Sequence, residues 1–202
     1  MGVLGQYIRS VRDAGYKVLP PDINESREEF TVVGDVIMLG LSVIAKVGDA
    51  AVSNIMERRD SEGRFTSFWD FLTKVDLRVV NKSVIENLIK SGAFDGIEQN
   101  RARLLQALPH FLEQAQRQSH NSNQGSLFGD EEEYRTPEMP EAEDFSEREK
   151  LDLERESIGL YISGHPYDQY ESEAEPYLTC PIGDLGRWRS QQPAVTAGLL
   201  SN

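Results

Sequence analysis

Apolar residues recur at three- and four-residue intervals along most of this chain, the spacing of helices that bury one face. Leu4, Tyr7, Ile8 and Val11 predict a short helix over residues 6–14, with Gly15 placed to end it. Val18 to Asn24 carries Pro20 and Pro21 and predicts an extended linker, because a residue before proline avoids helical angles. Two β-rich runs, residues 30–33 and 36–39, flank Gly34-Asp35 and predict a small hairpin. The helical period returns at Leu41 and Ile44 and continues in Ala51, Val52, Ile55 and Met56 until Glu62-Gly63-Arg64 breaks it. Ser67, with Asp70 three places on, opens the next helix as a capping box. Asn81 or Ser83 caps the one after, whose stripe is Val84, Ile85, Leu88 and Ile89. A long helix then carries Leu104, Leu105, Leu108, Phe111 and Leu112, with Pro109 expected to bend it.

Past residue 118 the periodicity disappears. Residues 119–145 are rich in Asn, Ser, Pro and Glu and predict a disordered acidic linker. Ser146 and Glu149 then mark a charged helix to about Ile158. Beyond Gly159 an irregular C-terminal segment is expected, in which residues 194–200 read as a strand without a partner, as if the chain stopped inside a domain. The fold class is thus mainly α: a tandem helical-hairpin domain with a small β-hairpin, then the linker and the irregular segment.

Charge follows the same division. The chain has 202 residues and a formal net charge of −13. Residues 1–118 hold 15 Lys and Arg against 16 Asp and Glu, whereas residues 119–202 hold 6 against 18. The overall acidity therefore does not exclude nucleic-acid binding by the first part. Cys180 is the only cysteine, so no intrachain disulfide forms. No charged-then-apolar leader opens the chain, and the run from Val36 to Ala45 is about half a membrane span. A soluble, cytoplasmic protein without membrane contact is the expectation.

The segment from Leu41 to Ile55 has the layout of a helix-hairpin-helix element. Its tight turn, usually Gly-hydrophobic-Gly, is here Lys46-Val47-Gly48. Glycine permits close backbone approach, and the first amides of the following helix form an anion site that reads phosphate rather than base. Lys46 departs from the pattern but puts a cation where a phosphate would lie; the alternative is an ordinary helical turn with Lys46 in water. A second unit of the same plan spans residues 81–108, with Ser91-Gly92-Ala93 as its hairpin and Lys82, Lys90, Arg101 and Arg103 near its loop ends. Lys46, Val47 and Gly48 of the first hairpin, Ser91, Gly92 and Ala93 of the second, and these four bases are the candidate DNA contacts; for the four bases the alternative is a solvated helix face.

A separate feature is Gln124-Gly125-Ser126-Leu127-Phe128, set between His120-Asn121-Ser122-Asn123 and the acidic run after Gly129. A Leu-Phe pair in such surroundings has no core of its own to join. The pattern Gln-x-x-Leu-Phe looks like the peptide by which bacterial replication and repair proteins hold the ring-shaped sliding clamp.

Four spaced segments carry a wider resemblance. Val18-Leu19-Pro20-Pro21-Asp22-Ile23-Asn24-Glu25-Ser26, Ile37-Met38-Leu39-Gly40-Leu41-Ser42-x-Ile44, Asn87-Leu88-Ile89-Lys90-Ser91-Gly92-Ala93-Phe94-Asp95 and Glu156-Ser157-Ile158-Gly159-Leu160-Tyr161-x-Ser163-Gly164-His165-Pro166 are similar to bacterial DNA polymerase III alpha subunits. The resemblance implies the end of the fingers region at residues 1–29 and a tandem helix-hairpin-helix DNA-binding domain at 30–118. It implies a flexible linker with the clamp-binding peptide at 119–145, a helix and connection at 146–193, and the start of an oligonucleotide-binding barrel at 194–202. It implies partners too: duplex DNA held without sequence preference, the beta sliding clamp and other replicase subunits. The parent enzyme would be a nucleotidyltransferase using Mg2+, but the closely spaced Asp-x-Asp of such a palm does not occur here. No catalytic residue, metal ligand or cofactor is assigned to the segment, which is expected to be inactive alone. His110, His120 and His165 lack cysteine or carboxylate partners at ligand spacing. Two alternatives stay open: the error-prone paralogue of the same family, and a stand-alone helix-hairpin-helix repair protein.

Overall fold

The computed structural model describes residues 3–123, 136–180, 182–187 and 193–198. Two compact units follow one another, Met1–Ile162 and Ser163–Asn202. Among the described residues no helix is long and apolar enough to cross a membrane.

The first unit opens with α1 (Val3–Asp13) and a three-stranded sheet of β1 (Lys17–Leu19), β2 (Thr31–Val33) and β3 (Val36–Met38). The predicted hairpin is β2–β3, antiparallel in register Val32↔Ile37 and turned at Gly34-Asp35. The predicted linker contributes a third strand, since β1 runs parallel to β3 in register Val18↔Ile37. Residues ahead of a proline are already extended, so the same local preference that suggests a linker also suits a strand. The rest of that stretch is a tied-down turn. Asp22 Oδ1 accepts from the amides of Asn24 and Glu25, and Asn24 exchanges hydrogen bonds with the backbone of Phe65 at 2.8 and 2.9 Å. Gly40 lies so close to the Glu28 and Glu29 backbone that any Cβ there would collide with it.

Four helices build the core: α2 (Asp49–Glu62), α3 (Phe68–Lys74), α4 (Lys82–Lys90) and α5 (Arg101–Asn123). Their inward positions are those of the sequence stripes, among them Val52, Ile55, Val84, Ile85, Leu88, Leu104 and Leu108. An aromatic cluster fills the centre, with Phe71 edge-on to Phe94 at 4.9 Å and Phe68 edge-on to Phe94 at 5.3 Å. Asn81, not Ser83, caps α4, its side chain accepting from the Ser83 and Val84 amides. Ser67 caps α3, but Asp70 does not complete the box. Its carboxylate accepts from the Thr66 amide and pairs with Lys74 instead.

Pro109 lies inside α5 without ending it, and the helix runs on to Asn123, so residues 119–123 are helical where a linker was expected. Residues 136–145 have no secondary structure, yet they are fastened to the core. Asn100 donates to the Ala142 carbonyl at 2.8 Å, Arg103 to the Pro140 carbonyl at 2.9 Å, and Met139 packs on the apolar cluster. Backbone acceptors are invisible in composition, which is why a polar stretch read as wholly disordered. The predicted capping box at Ser146 and Glu149 is complete and opens α6 (Glu147–Ile158).

In the second unit the stretch read as irregular holds a two-turn helix, α7 (Asp168–Ala174), followed by 3₁₀ turns. The predicted final strand is not formed among residues 193–198. Val195 still receives the Thr179 amide at 2.9 Å and donates to its hydroxyl at 2.8 Å.

Candidate nucleic-acid interface

The first hairpin is a tight turn on the surface of the helical core. Val47 N–H donates to the Ile44 carbonyl at 3.1 Å, and Lys46 sits at φ 65°, the arrangement of a type II turn. Lys46 is the one non-glycine residue with positive φ among those described. The position usually held by glycine thus keeps the glycine conformation while bearing a lysine, at a cost of about 1–2 kcal/mol. Its side chain is exposed.

Gly48 follows as N-cap of α2 with φ −84° and ψ 166°, and no side chain caps the first-turn amides. A Cβ on Gly48 would meet nothing within 4 Å, so the approach to those amides is open. Unpaired amides and the positive helix end together favour an anion. Val47 belongs to the opposite face. It is 5 % exposed in the core and its amide closes the turn, so it anchors the hairpin and has neither side chain nor N–H to offer a phosphate.

The second hairpin is built differently from its expected role. Ser91, Gly92 and Ala93 are all buried, and the amides of Gly92 and Ala93 donate to Ile89 and Leu88 carbonyls. Gly92 has φ 82° and lies against the Arg101 guanidinium, where a Cβ would not fit. Arg101 is 3 % exposed. It forks onto Asp95 at 3.0 and 2.7 Å, reaches Glu154 of α6 at 3.4 Å, and donates to the Lys90 carbonyl at 3.1 Å. Burial pushes the Asp95 carboxyl above its ordinary pKa, although Arg101 and Lys150 oppose that shift. Lys90 pairs with Glu156 at 2.7 Å, and Arg103 binds Pro140 and Glu98. Of the predicted contacts of this unit, Ser91, Gly92, Ala93 and Arg101 are therefore corrected to interior, structural positions. Lys90 and Arg103 are held by residues from 140–156. Lys82, at the start of α4, remains exposed beside Glu86.

Sequence reasoning missed α6 as the element that covers the second hairpin. Its inward face includes Glu154 and Ser157, both fully buried, and Ile158. The three-residue step from Glu154 to Ser157 is the local signal, but a glutamate and a serine do not look like an apolar stripe. The Ser157 carbonyl also accepts from the Ala45 amide at 2.7 Å, so α6 reaches both hairpins. The predicted clamp peptide, Gln124, Gly125, Ser126, Leu127 and Phe128, lies outside the described residues. Among the described residues no group of three His, Cys, Asp or Glu is placed to hold a metal ion.

The model of the helix-hairpin-helix motif matches residues 15–104, from β1 through both hairpins to the start of α5. The chain is 36 % identical over 211 residues to the DNA polymerase III subunit alpha of Deinococcus radiodurans, covering 98 % of this chain and 16 % of that protein. It is 38 % identical over 200 residues to the one from Thermus aquaticus, with 98 % and 16 % coverage. With the subunit from Neisseria meningitidis serogroup B the identity is 41 % over 200 residues, with 98 % and 17 % coverage. The chain belongs to the DNA polymerase III alpha-subunit family. It spans about one sixth of the length of the curated relatives it matches. The first hairpin and the roofed second one are thus features of a segment of that family.

Proposed function

We propose that this chain is the segment by which a replicative DNA polymerase holds duplex DNA without regard to sequence, using the first hairpin as the phosphate contact. The observation that carries the reading is the open start of α2 at Gly48, where no side chain caps the helix, flanked by the exposed cation Lys46, within a helix-hairpin-helix match. Backbone amides and a lysine read phosphate and not base edges, which suits a protein that must bind every sequence it passes. The test is anisotropy of the whole chain with two duplexes of unrelated sequence over a salt series. Equal affinities that fall with salt support the reading, while salt-independent binding, a strong sequence preference or no binding contradict it.

We also propose that Gln124 to Phe128 tethers the polymerase to the sliding clamp, Leu127 and Phe128 filling an apolar cleft and the Gln124 amide bonding its rim. The support is the sequence pattern and its place in the family. A weak peptide on a short connection gains effect because rebinding becomes intramolecular. Replacing Leu127 and Phe128 with alanine is expected to abolish pull-down of the clamp; retained pull-down would remove the tether.

Nucleotide transfer, the Mg2+ it would use, contacts with other replicase subunits and a cytoplasmic location are proposed for the longer protein. No step of that chemistry is assigned to residues of this chain.

A further inference from the structure

We propose that the buried Arg101–Glu154 pair positions the first hairpin, so that the second hairpin serves DNA binding indirectly, through α6. The inference rests on the reading of the first hairpin as the DNA contact and adds the device that holds it in shape.

The connection is a short chain of contacts. Arg101 stands beside Gly92 and reaches one oxygen of Glu154, while the other oxygen of Glu154 accepts from the Ile162 amide at 3.2 Å. Glu154 is fully buried, so its place along α6 is fixed from both sides. Three residues on, a rise of about 4.5 Å, the Ser157 carbonyl takes the Ala45 amide at 2.7 Å. Ala45 is the residue before Lys46 and the first central position of the type II turn. Its amide is not part of the turn's own hydrogen bond, which runs from Val47 to Ile44. That amide shares one peptide unit with the Ile44 carbonyl, so without an outside acceptor the unit that opens the turn ahead of the strained Lys46 is held on its carbonyl side alone. The Ser157 carbonyl supplies that acceptor, and it lies 112 positions away in the sequence.

This geometry explains two features together. The second hairpin keeps the plan of a phosphate-binding turn, but its amides and the arginine beside it are engaged internally. The charged helix α6, from the acidic part of the chain, sits against both hairpins although acidic groups repel DNA. The structure uses α6 as a brace and not as a DNA contact. A piece ending at residue 118 would carry the first hairpin without its brace.

The turn itself provides a discriminating variant. Proline is favoured at the first central position of a type II turn, and Ile44 ahead of it is already extended at ψ 126°. Ala45→Pro therefore suits the turn while deleting the N–H that binds Ser157. Glu154→Gln keeps the side-chain volume and removes the charge that Arg101 holds. Glu156→Gln, which breaks only the Lys90 pair on the outer face of α6, is the control. In the full chain, amide hydrogen exchange at Ala45 and duplex affinity are measured for each variant.

Glu154→Gln is expected to speed exchange at Ala45 and to weaken DNA binding between about 2- and 10-fold, the range for one lost hydrogen bond. Exchange within α2 should not change, and the Glu156→Gln control should behave as the parent. Folded Ala45→Pro should show the same loss of affinity. Unchanged Ala45 exchange in Glu154→Gln, or parent-like DNA binding by folded Ala45→Pro, overturns the inference. Should Ala45→Pro not fold, Glu154→Gln decides. If the parent chain binds no DNA, the proposed function fails, and the exchange measurement still judges the brace.

Discussion

The two hairpins of this chain share a backbone device and differ in what lies over it. Each contains one left-handed residue, Lys46 at φ 65° and Gly92 at φ 82°. At the first, the left-handed residue is a lysine in solvent, and the helix that follows begins without a side-chain cap. At the second it is a glycine packed against a buried arginine, with α6 closing over it. A helix-hairpin-helix pattern thus specifies a turn, while the surroundings decide whether its amides face water or the core. Strain retained at an exposed position points to function, whereas at the buried one glycine avoids it.

The largest effect is expected from Arg101→Ala. It leaves Glu154 buried without its cation and should cost about 3–5 kcal/mol in urea unfolding of the whole chain. A cost below about 1 kcal/mol would mean that the second hairpin is not held as described.

Lys46→Gly separates stability from binding at the first hairpin. Glycine relieves the left-handed strain, and after its extra unfolded-state freedom the net gain is about 0.5–1 kcal/mol. DNA affinity should nevertheless fall, with the slope of log affinity against log salt smaller by about 1. A variant that binds as tightly as the parent would remove Lys46 from the contact.

Gly48→Asp is expected to act in the same two directions more weakly. An aspartate cap stabilises α2 by a few tenths of a kcal/mol relative to glycine, and its carboxylate occupies the amides and repels phosphate. Melting temperature should rise slightly while duplex affinity drops.

The smallest effect lies away from both hairpins. The Arg78 side chain, hydrogen-bonded to Asp76, lowers that carboxyl from its ordinary 3.8 to about 2. Because the folded value is depressed, the stability it contributes is present above pH 3.8 and is lost as pH falls towards about 2. A carboxyl NMR titration of Asp76 should show a midpoint near 2, and Asp76→Asn should flatten the pH dependence in that window. A midpoint near 3.8 would contradict the pairing.

Much of the scaffold is legible in local residue chemistry. Gly34-Asp35 between two β-rich runs marks the hairpin, and Ser146 with Glu149 marks the start of α6. The stripe Val84, Ile85, Leu88 and Ile89 marks the buried side of α4. The first hairpin is legible too, because the chemistry of Lys46-Val47-Gly48 is local. What escapes is whatever depends on distant partners. Arg101 looks like a free base until Glu154, 53 positions later, takes it inside. The sequence 119–145 looks wholly unstructured because its ties to Asn100 and Arg103 use carbonyl oxygens, which every residue possesses. Val18 and Leu19 look like a linker because a parallel strand has no adjacent turn to announce it.

The division of roles between the hairpins is tested most directly by amide NMR of the isotope-labelled chain during titration with a random-sequence duplex. Shifts are expected to concentrate at Lys46, Gly48, Asp49 and Ala50, with Ser91, Gly92 and Ala93 unmoved. Shifts at residues 91–93 without any at 46–50 would contradict it.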